Sequence, residues 1–202
     1  APDAAYANGK YYLYFPAKDK TDVFRIGVAT SSSPAGPFKA ESEPIKGSYS
    51  IDPAVFMDTD GKSYMYFGGI WGGQLQRWST GTYDPNGSKT DLQKDEDPAI
   101  SPRVARMSKD MLKFDEPVKE IKIVDQEGKP LLGKDHDRRF FEAAWMHKYN
   151  GKYYFSYSTG DTHFIAYATG ESPYGPFTYQ GVILNPVIGW TNHHSIIEIK
   201  GK

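Results

Sequence analysis

The sequence predicts an all-β chain built from repeated four-stranded antiparallel blades, the pattern of a β-propeller. A long segment recurs: F-R-I-G-V-A-T-S-S-S-P-A-G-P-F from Phe24 to Phe38 returns as F-I-A-Y-A-T-G-E-S-P-Y-G-P-F from Phe164 to Phe177. Ala29, Pro34 and Phe38 match Ala168, Pro173 and Phe177 at one constant offset of 139 residues. A turn followed by an aromatic strand also repeats, at N-G-K-Y-Y, D-G-K-S-Y and N-G-K-Y-Y, with a last copy beginning in H-H-S-I-I-E-I-K-G-K. The turn glycines Gly9, Gly61, Gly151 and Gly201 are spaced by 52, 90 and 50 residues, so the unit is about 50 residues long with an insertion of about 40 in the second copy. Fifteen tyrosines, eleven phenylalanines and four tryptophans suit pleated, half-buried surfaces.

In the first unit, strands are expected near Ala4 to Ala7, Lys10 to Phe15, Phe24 to Thr30 and Pro37 to Glu41, divided by polar or Gly/Pro-rich turns. Asn-Gly and Asp-Gly provide the positive φ angles of a two-residue hairpin turn, so Asn8-Gly9, Asp60-Gly61 and Asn150-Gly151 mark where an inner strand folds back. The second unit has strands at Ile51 to Met57 and Lys62 to Phe67, which lead into G-G-I-W-G-G from Gly68 to Gly73. A long polar surface loop then runs to Pro102, and the blade resumes at Arg103 to Asp110. A second polar loop, Asp125 to Arg139, precedes the inner strand at Phe140 to His147. The one helical candidate, around Ser108 to Phe114, is too short to form alone.

With 202 residues and 39% hydrophobic content the chain can bury a sizeable core, and no stretch is apolar and long enough to span a membrane as a helix. Lys plus Arg (24) balances Asp plus Glu (25) without a basic stripe, which argues against nucleic acid or an anionic membrane as partner and for a neutral substrate. The lack of cysteine removes disulfide and thiol chemistry without locating the protein. The expected setting is bacterial and secreted or periplasmic, with the cytoplasm as the alternative.

Nine residues before the turn glycines Gly61, Gly151 and Gly201 stand Asp52, Glu142 and Asn192, two carboxylates at one repeated address. At the end of an inner strand that address faces the open mouth of the channel. Both acids sit in apolar strands, I-D-P-A-V-F-M and F-F-E-A-A-W-M, where an ionised group is costly unless it is bonded or functional. A glutamate among Phe140, Phe141 and Trp145 is expected to have a raised pKa, as a proton donor near neutrality needs. The bland alternative is that both acids tie blades together through backbone N–H groups.

The succession A-P-D-A-A-Y-A-N-G-K-Y-Y-L-Y-F, S-I-D-P-A-V-F-M-D-T-D-G-K-S-Y-M-Y-F-G-G, F-F-E-A-A-W-M-H-K-Y-N-G-K-Y-Y-F-S-Y-S and H-H-S-I-I-E-I-K-G-K resembles the five-bladed propellers of glycoside hydrolase family 43. The resemblance covers nearly the whole chain. It implies an inverting β-xylosidase or α-L-arabinofuranosidase acting on xylo- or arabino-oligosaccharides, with Glu142 as general acid and Asp52 as the residue that orients the acid and tunes its pKa. It further implies that His193 points into the channel toward a central calcium ion, usually through water; His194 is the weaker candidate. On that scheme residues 1–48 form the second blade, 49–137 the third with its insertion, 138–190 the fourth, and 191–202 the start of the fifth. About three and a half blades are then present.

Inversion needs a second carboxylate on the opposite face of the sugar. The family's base precedes an A-P-D-A-like motif, so it is expected upstream of Ala1, in a chain that looks processed or truncated. Such a piece would lack full activity and expose strand edges to association. Asp3, six residues before its turn glycine instead of nine, reads better as a blade-stabilising acid than as a substitute base. Trp71 is a candidate for stacking on a pentose or for packing on the long loop. His163 is a candidate for a sugar hydroxyl or an ordinary turn histidine. The competing functions are a non-catalytic carbohydrate-binding propeller and an endo-arabinanase. The combined double-glycine and spaced Tyr/Trp signature of a kelch-like propeller is not seen, and the Asn-Asp-Pro nucleophile and Glu-Cys motifs of fructose-acting hydrolases are absent from the sequence.

Overall fold

The computed structural model describes residues 1–90, 94–189 and 192–197. Three sheets form successive blades of a partial propeller. The first runs β1 (Asp3–Ala7), β2 (Lys10–Lys18), β3 (Phe24–Ser31) and β4 (Lys39–Ala40), each antiparallel to the last. The second repeats the order with β5 (Ala54–Met57), β6 (Ser63–Phe67), β7 (Arg103–Arg106) and β8 (Lys119–Glu120). After it comes β9 (Ile123–Val124), which leaves the second sheet for the third. The third sheet contains β10 (Glu142–Tyr149), β11 (Lys152–Ser158), β12 (Ile165–Gly170) and β13 (Phe177–Leu184). The Gly201 turn expected to open a further blade lies outside the described residues.

Two features differ from the sequence expectation. The third sheet is five-stranded, because β9 pairs in parallel with β13 through Phe177↔Ile123 and Thr178↔Val124. An eight-residue outer strand would otherwise leave a long row of free backbone groups, and β9 covers part of it. The second hairpin turn is also longer than two residues. Asn8-Gly9 and Asn150-Gly151 have both φ angles positive, as a tight hairpin requires, but at Asp60-Gly61 only the glycine does, and the strands close through Met57↔Ser63. Asp58, inside that turn, is occupied elsewhere.

Its carboxylate is buried and accepts hydrogen bonds from Lys148 Nζ at 2.8 Å and Tyr153 OH at 2.5 Å, joining the second hairpin to the third. Burial alone would raise the Asp58 pKa, but the Lys148 and Tyr153 hydrogen bonds outweigh it and hold the carboxyl below its usual range. Elsewhere the core is aromatic, and buried tyrosines serve twice. The Tyr14, Tyr66 and Tyr157 rings are almost wholly buried. Their hydroxyls donate to the backbone carbonyls of Met111, Pro173 and Arg138 at 2.9, 2.8 and 2.5 Å. A tyrosine thus fills space between sheets and satisfies a loop carbonyl in one step.

Two long connections, the insertion between β6 and β7 and the polar loop between β9 and β10, are joined as well. The insertion and the second polar loop bond backbone to backbone, Ala99 N–H to Leu131 O at 2.8 Å and Gly133 N–H to Asp97 O at 2.8 Å. They form one wall.

Lys148→Met is expected to lower the melting temperature at neutral pH, where it leaves a charged Asp58 buried without its cation. Because the folded-state pKa of Asp58 is depressed, its contribution is complete above the unfolded-chain value of about 3.9 and is lost as pH falls through the folded value. Melting curves of wild type and variant should therefore begin to converge below about pH 4 and meet as pH falls past the folded value. A constant gap across the pH range would assign the loss to packing instead.

Candidate active site

The repeated acidic address becomes a site because the backbone there is not regular strand. Asp52 precedes β5 by two residues with a φ of 56°, and Ala143, next after Glu142, has a φ of 60°. The Asp52 side chain is 3% exposed, and its Oδ2 accepts the Ala143 N–H at 3.1 Å. The pairing register of β10 with β11 shifts between Glu142 and Trp145, so the strand bulges where that amide turns toward Asp52. Asp52 therefore holds the main chain of the residue that follows Glu142. Burial alone would raise the Asp52 pKa, yet the hydrogen bond and charge of the His193 ring, with Nε2 at 3.4 Å, help to hold it below the ordinary range.

Behind the two acids lies the glycine-rich turn, and its composition follows from closeness. A Cβ on Gly69 would stand 2.7 Å from Ile51 Cγ1 and 3.3 Å from Glu142 Cβ, and one on Gly73 would stand 2.8 Å from Ile51. Ser50 Oγ donates to Gly73 O at 2.7 Å and accepts Gly69 N–H at 3.0 Å, while Ile70 N–H donates to Phe141 O at 3.0 Å. The Asp52 segment, the glycine turn and the Glu142 segment are thus clasped by backbone contacts.

Trp71, at the tip of that turn, is half-buried and meets Phe141 edge-on at 5.1 Å. Its carbonyl accepts from Gln76 Nε2 at 3.1 Å, and the same amide donates to Ser88 O in the insertion. The indole is seated on Phe141, and the backbone of Trp71 is tied to the long loop. His163 follows the short turn Gly160–Thr162 with a φ of 59°. Its carbonyl accepts from Asn192 Nδ2 at 2.5 Å, which brings the third copy of the repeated address to the same end of the third sheet.

His193 and His194 part company. His194 Nε2 lies 2.6 Å from Ser156 Oγ, and burial together with the neighbouring His193 and His147 takes its pKa down to about 4, so the ring is neutral. The His193 side chain is 41% exposed and, with Asp3 and His194, lines a channel cavity of about 560 Å³. Asp3 Oδ2 accepts Val55 N–H at 2.7 Å, linking β1 to β5, the blade-joining role expected for it. Among the described residues no three His, Asp or Glu side chains gather around one point. Calcium takes six to eight oxygens, so the channel suits an ion that keeps most of its water beside His193, not a bare one. A separate cavity of about 380 Å³ lies between Leu75, Pro98 and Leu131, and none of Asp52, Trp71, Glu142, His163 or His193 lines it.

Ser50, Gly69 and the Ala143 amide were not foreseen from the sequence. Their signal was the pair of double glycines around Trp71, which marks backbone packed against backbone. Gly69→Ala is expected to destabilise by about 1–3 kcal/mol through overpacking. Asp52→Ala should lose a similar amount, about 1–3 kcal/mol, by stranding the Ala143 N–H. At Gly72 nothing lies within 4 Å of an added Cβ, so Gly72→Ala should stay within about 0.5 kcal/mol. Denaturant unfolding of the three variants measures all of these.

Comparison with known proteins agrees with this geometry. The sequence profile of glycosyl hydrolases family 43 matches residues 1–198. A xylosidase/arabinosidase of Bacteroides ovatus is 61% identical over 99% of this chain and 61% of its own length. Xylosidase/arabinosidase 43A of Humicola insolens is 62% identical over 100% of this chain and 63% of its own. A family 43 beta-xylosidase/alpha-arabinofuranosidase from a compost microbial metagenome, solved with xylotriose in a calcium-free form, is 78% identical. It superposes with a TM-score of 0.97 over 100% of this chain and 62% of that one. The chain thus spans about three fifths of the length of the relatives it matches. With its profile match running almost from end to end, the chain belongs to glycosyl hydrolases family 43.

Proposed function

We propose that the protein carrying this chain is an inverting glycosidase that removes terminal β-D-xylose or α-L-arabinofuranose from xylo- or arabino-oligosaccharides. The observation that supports this best is the Asp52 to Ala143 hydrogen bond, which holds the Glu142 segment at the channel mouth in a chain so similar to xylosidase/arabinosidases. Glu142 is the general acid: its carboxyl gives a proton to the glycosidic oxygen as the bond to the departing sugar breaks. Asp52 keeps the acid's backbone in place, and its negative charge disfavours early loss of that proton. The water-activating base that inversion requires is assigned to no residue of this chain, because Asp3 is committed to Val55. Trp71 and His163 stand beside the acid as sugar-contacting residues.

His193 is the residue that would hold hydrated calcium. When bound, the ion would supply positive charge in the channel, and His193 stands within 3.4 Å of Asp52 Oδ2. Calcium is then expected to raise the melting temperature of the wild type by mass action and to leave His193→Ala unmoved. A wild-type melting temperature indifferent to calcium and to chelator would remove the ion from this reading.

The activity test compares xylobiose with nitrophenyl β-xyloside and nitrophenyl α-arabinofuranoside. Glu142→Gln should lower turnover of xylobiose by about 10²–10⁴ and that of the nitrophenyl substrates less, since nitrophenolate departs as the anion without needing a proton. Equal turnover of xylobiose by wild type and variant would deprive Glu142 of the role. Binding of xylotriose without turnover of any substrate would favour a carbohydrate-binding propeller.

A further inference from the structure

One buried side chain that the chemistry above leaves unused ties the turn carrying Trp71 to a different sheet. Gln74 closes the short turn Trp71–Gly73, and its own N–H donates to Trp71 O at 2.9 Å. Its side chain crosses to the connection between β2 and β3, where Oε1 accepts Phe24 N–H at 3.0 Å and Nε2 donates to Asp22 O at 2.8 Å. One partner is a donor and the other an acceptor, so the amide has a single orientation and a single seat.

That seat is itself braced. Asp19 Oδ1 accepts Thr21 N–H at 2.8 Å and Thr21 Oγ1 at 2.6 Å, its Oδ2 accepts Arg25 Nε at 3.0 Å, and Asp19 N–H donates to Val23 O at 2.9 Å. Val23, between the two residues that Gln74 grips, is buried. Arg25 extends the link, donating from Nη1 to Ser48 O at 3.2 Å, two residues before the Ser50 that clasps Gly69 and Gly73. One turn of the first sheet thus supports the glycine turn through Gln74 and the segment ahead of Asp52 through Arg25.

What Gln74 holds is a turn with little side-chain packing of its own. Trp71 has a φ of 57° and Gln74 a φ of 68°, left-handed values that bulky residues seldom adopt. Gly72 and Gly73 separate them, and glycine gives a chain other conformations at low cost. The Ser50 clasp and the Ile70 to Phe141 hydrogen bond fix the base of the turn, whereas at its tip the Trp71 carbonyl is held by Gln74 N–H and by Gln76 Nε2. The direction of the Gln74 backbone therefore sets where the tip stands. Released from Asp22 and Phe24, the tip would populate other conformations, and apparent affinity falls in proportion to the competent fraction.

We propose that Gln74 is a positioning residue: by anchoring the end of the glycine turn to the first sheet, it holds Trp71 in the conformation that presents the indole to the bound pentose. This rests on Trp71 touching the sugar of a glycosidase substrate. The test is a double-mutant cycle in the full-length protein, with kinetics on xylobiose. Gln74→Met, which keeps the side-chain length and loses both hydrogen bonds, should raise KM by about five- to tenfold with kcat within about twofold. In a Trp71→Ala background the same change should leave KM within about twofold, because no indole remains to be placed. An equal rise in both backgrounds is what a merely structural role gives and overturns the proposal, as does an unchanged KM in Gln74→Met where Trp71→Ala raises it. Gln74→Glu tests the same bonds should the methionine variant fail to fold. A protonated carboxyl has both a donor and an acceptor and can replace the amide, so the KM of Gln74→Glu relative to wild type at the same pH should return toward one as pH is lowered. A ratio that does not change with pH overturns the proposal. A wild-type KM in Trp71→Ala would strike the sugar contact of Trp71 and this role with it, and wild type inert on xylobiose and on nitrophenyl β-xyloside would strike the glycosidase reading itself.

Discussion

The site depends on one buried carboxylate and the amide it holds. Asp52 belongs to the second sheet's segment and Ala143 to the third's, so their hydrogen bond is a contact between blades as well as a fixing of Glu142. An isolated carboxylate that is 3% exposed would sooner take up a proton than stay charged. Here a backbone N–H and the His193 ring stabilise the charge. Both partners adopt positive φ to reach each other, which is the local strain often found where geometry matters more than regularity.

Around that contact the chain favours main-chain closeness over side-chain bulk. Glycines at 69, 73 and 160 allow Ile51 and Phe141 to press against backbone, and Ser50 satisfies two backbone groups of the glycine turn with one hydroxyl. The aromatic content finds a second use at the blade interfaces, where buried tyrosine hydroxyls close off loop carbonyls. The Tyr14 and Tyr66 hydroxyls are each matched by a carbonyl from the next sheet's chain, so each of those sheets depends on its neighbour.

Much of this was legible in the sequence because its signals were periodic. Asn8-Gly9 and Asn150-Gly151 announced hairpins, and the 139-residue offset announced equivalent strands. The shared address of Asp52 and Glu142 pointed to the two segments that the Asp52 to Ala143 hydrogen bond joins. Asp60-Gly61 misled as to turn length, because Asp58 is drawn into a long-range bond with Lys148 that no local pattern encodes. Hidden for the same reason was β9, a two-residue strand whose partner lies more than fifty residues further along. The Gln74 tie arises from two turns that meet only once both sheets are folded. Contacts of that kind leave no spacing to read.

The parallel pairing of β9 with β13 bears on how such a chain can be rearranged. If blades were independent cassettes, a cut after the second sheet would release one cleanly. Here the connector between the second and third sheets is woven into the outer edge of the third, and Phe177 N–H donates to Lys122 O at 2.9 Å. Shuffling or grafting of the third sheet between homologues must carry residues from Lys122 onward with it. The natural unit of exchange is offset from the visible blade by one strand.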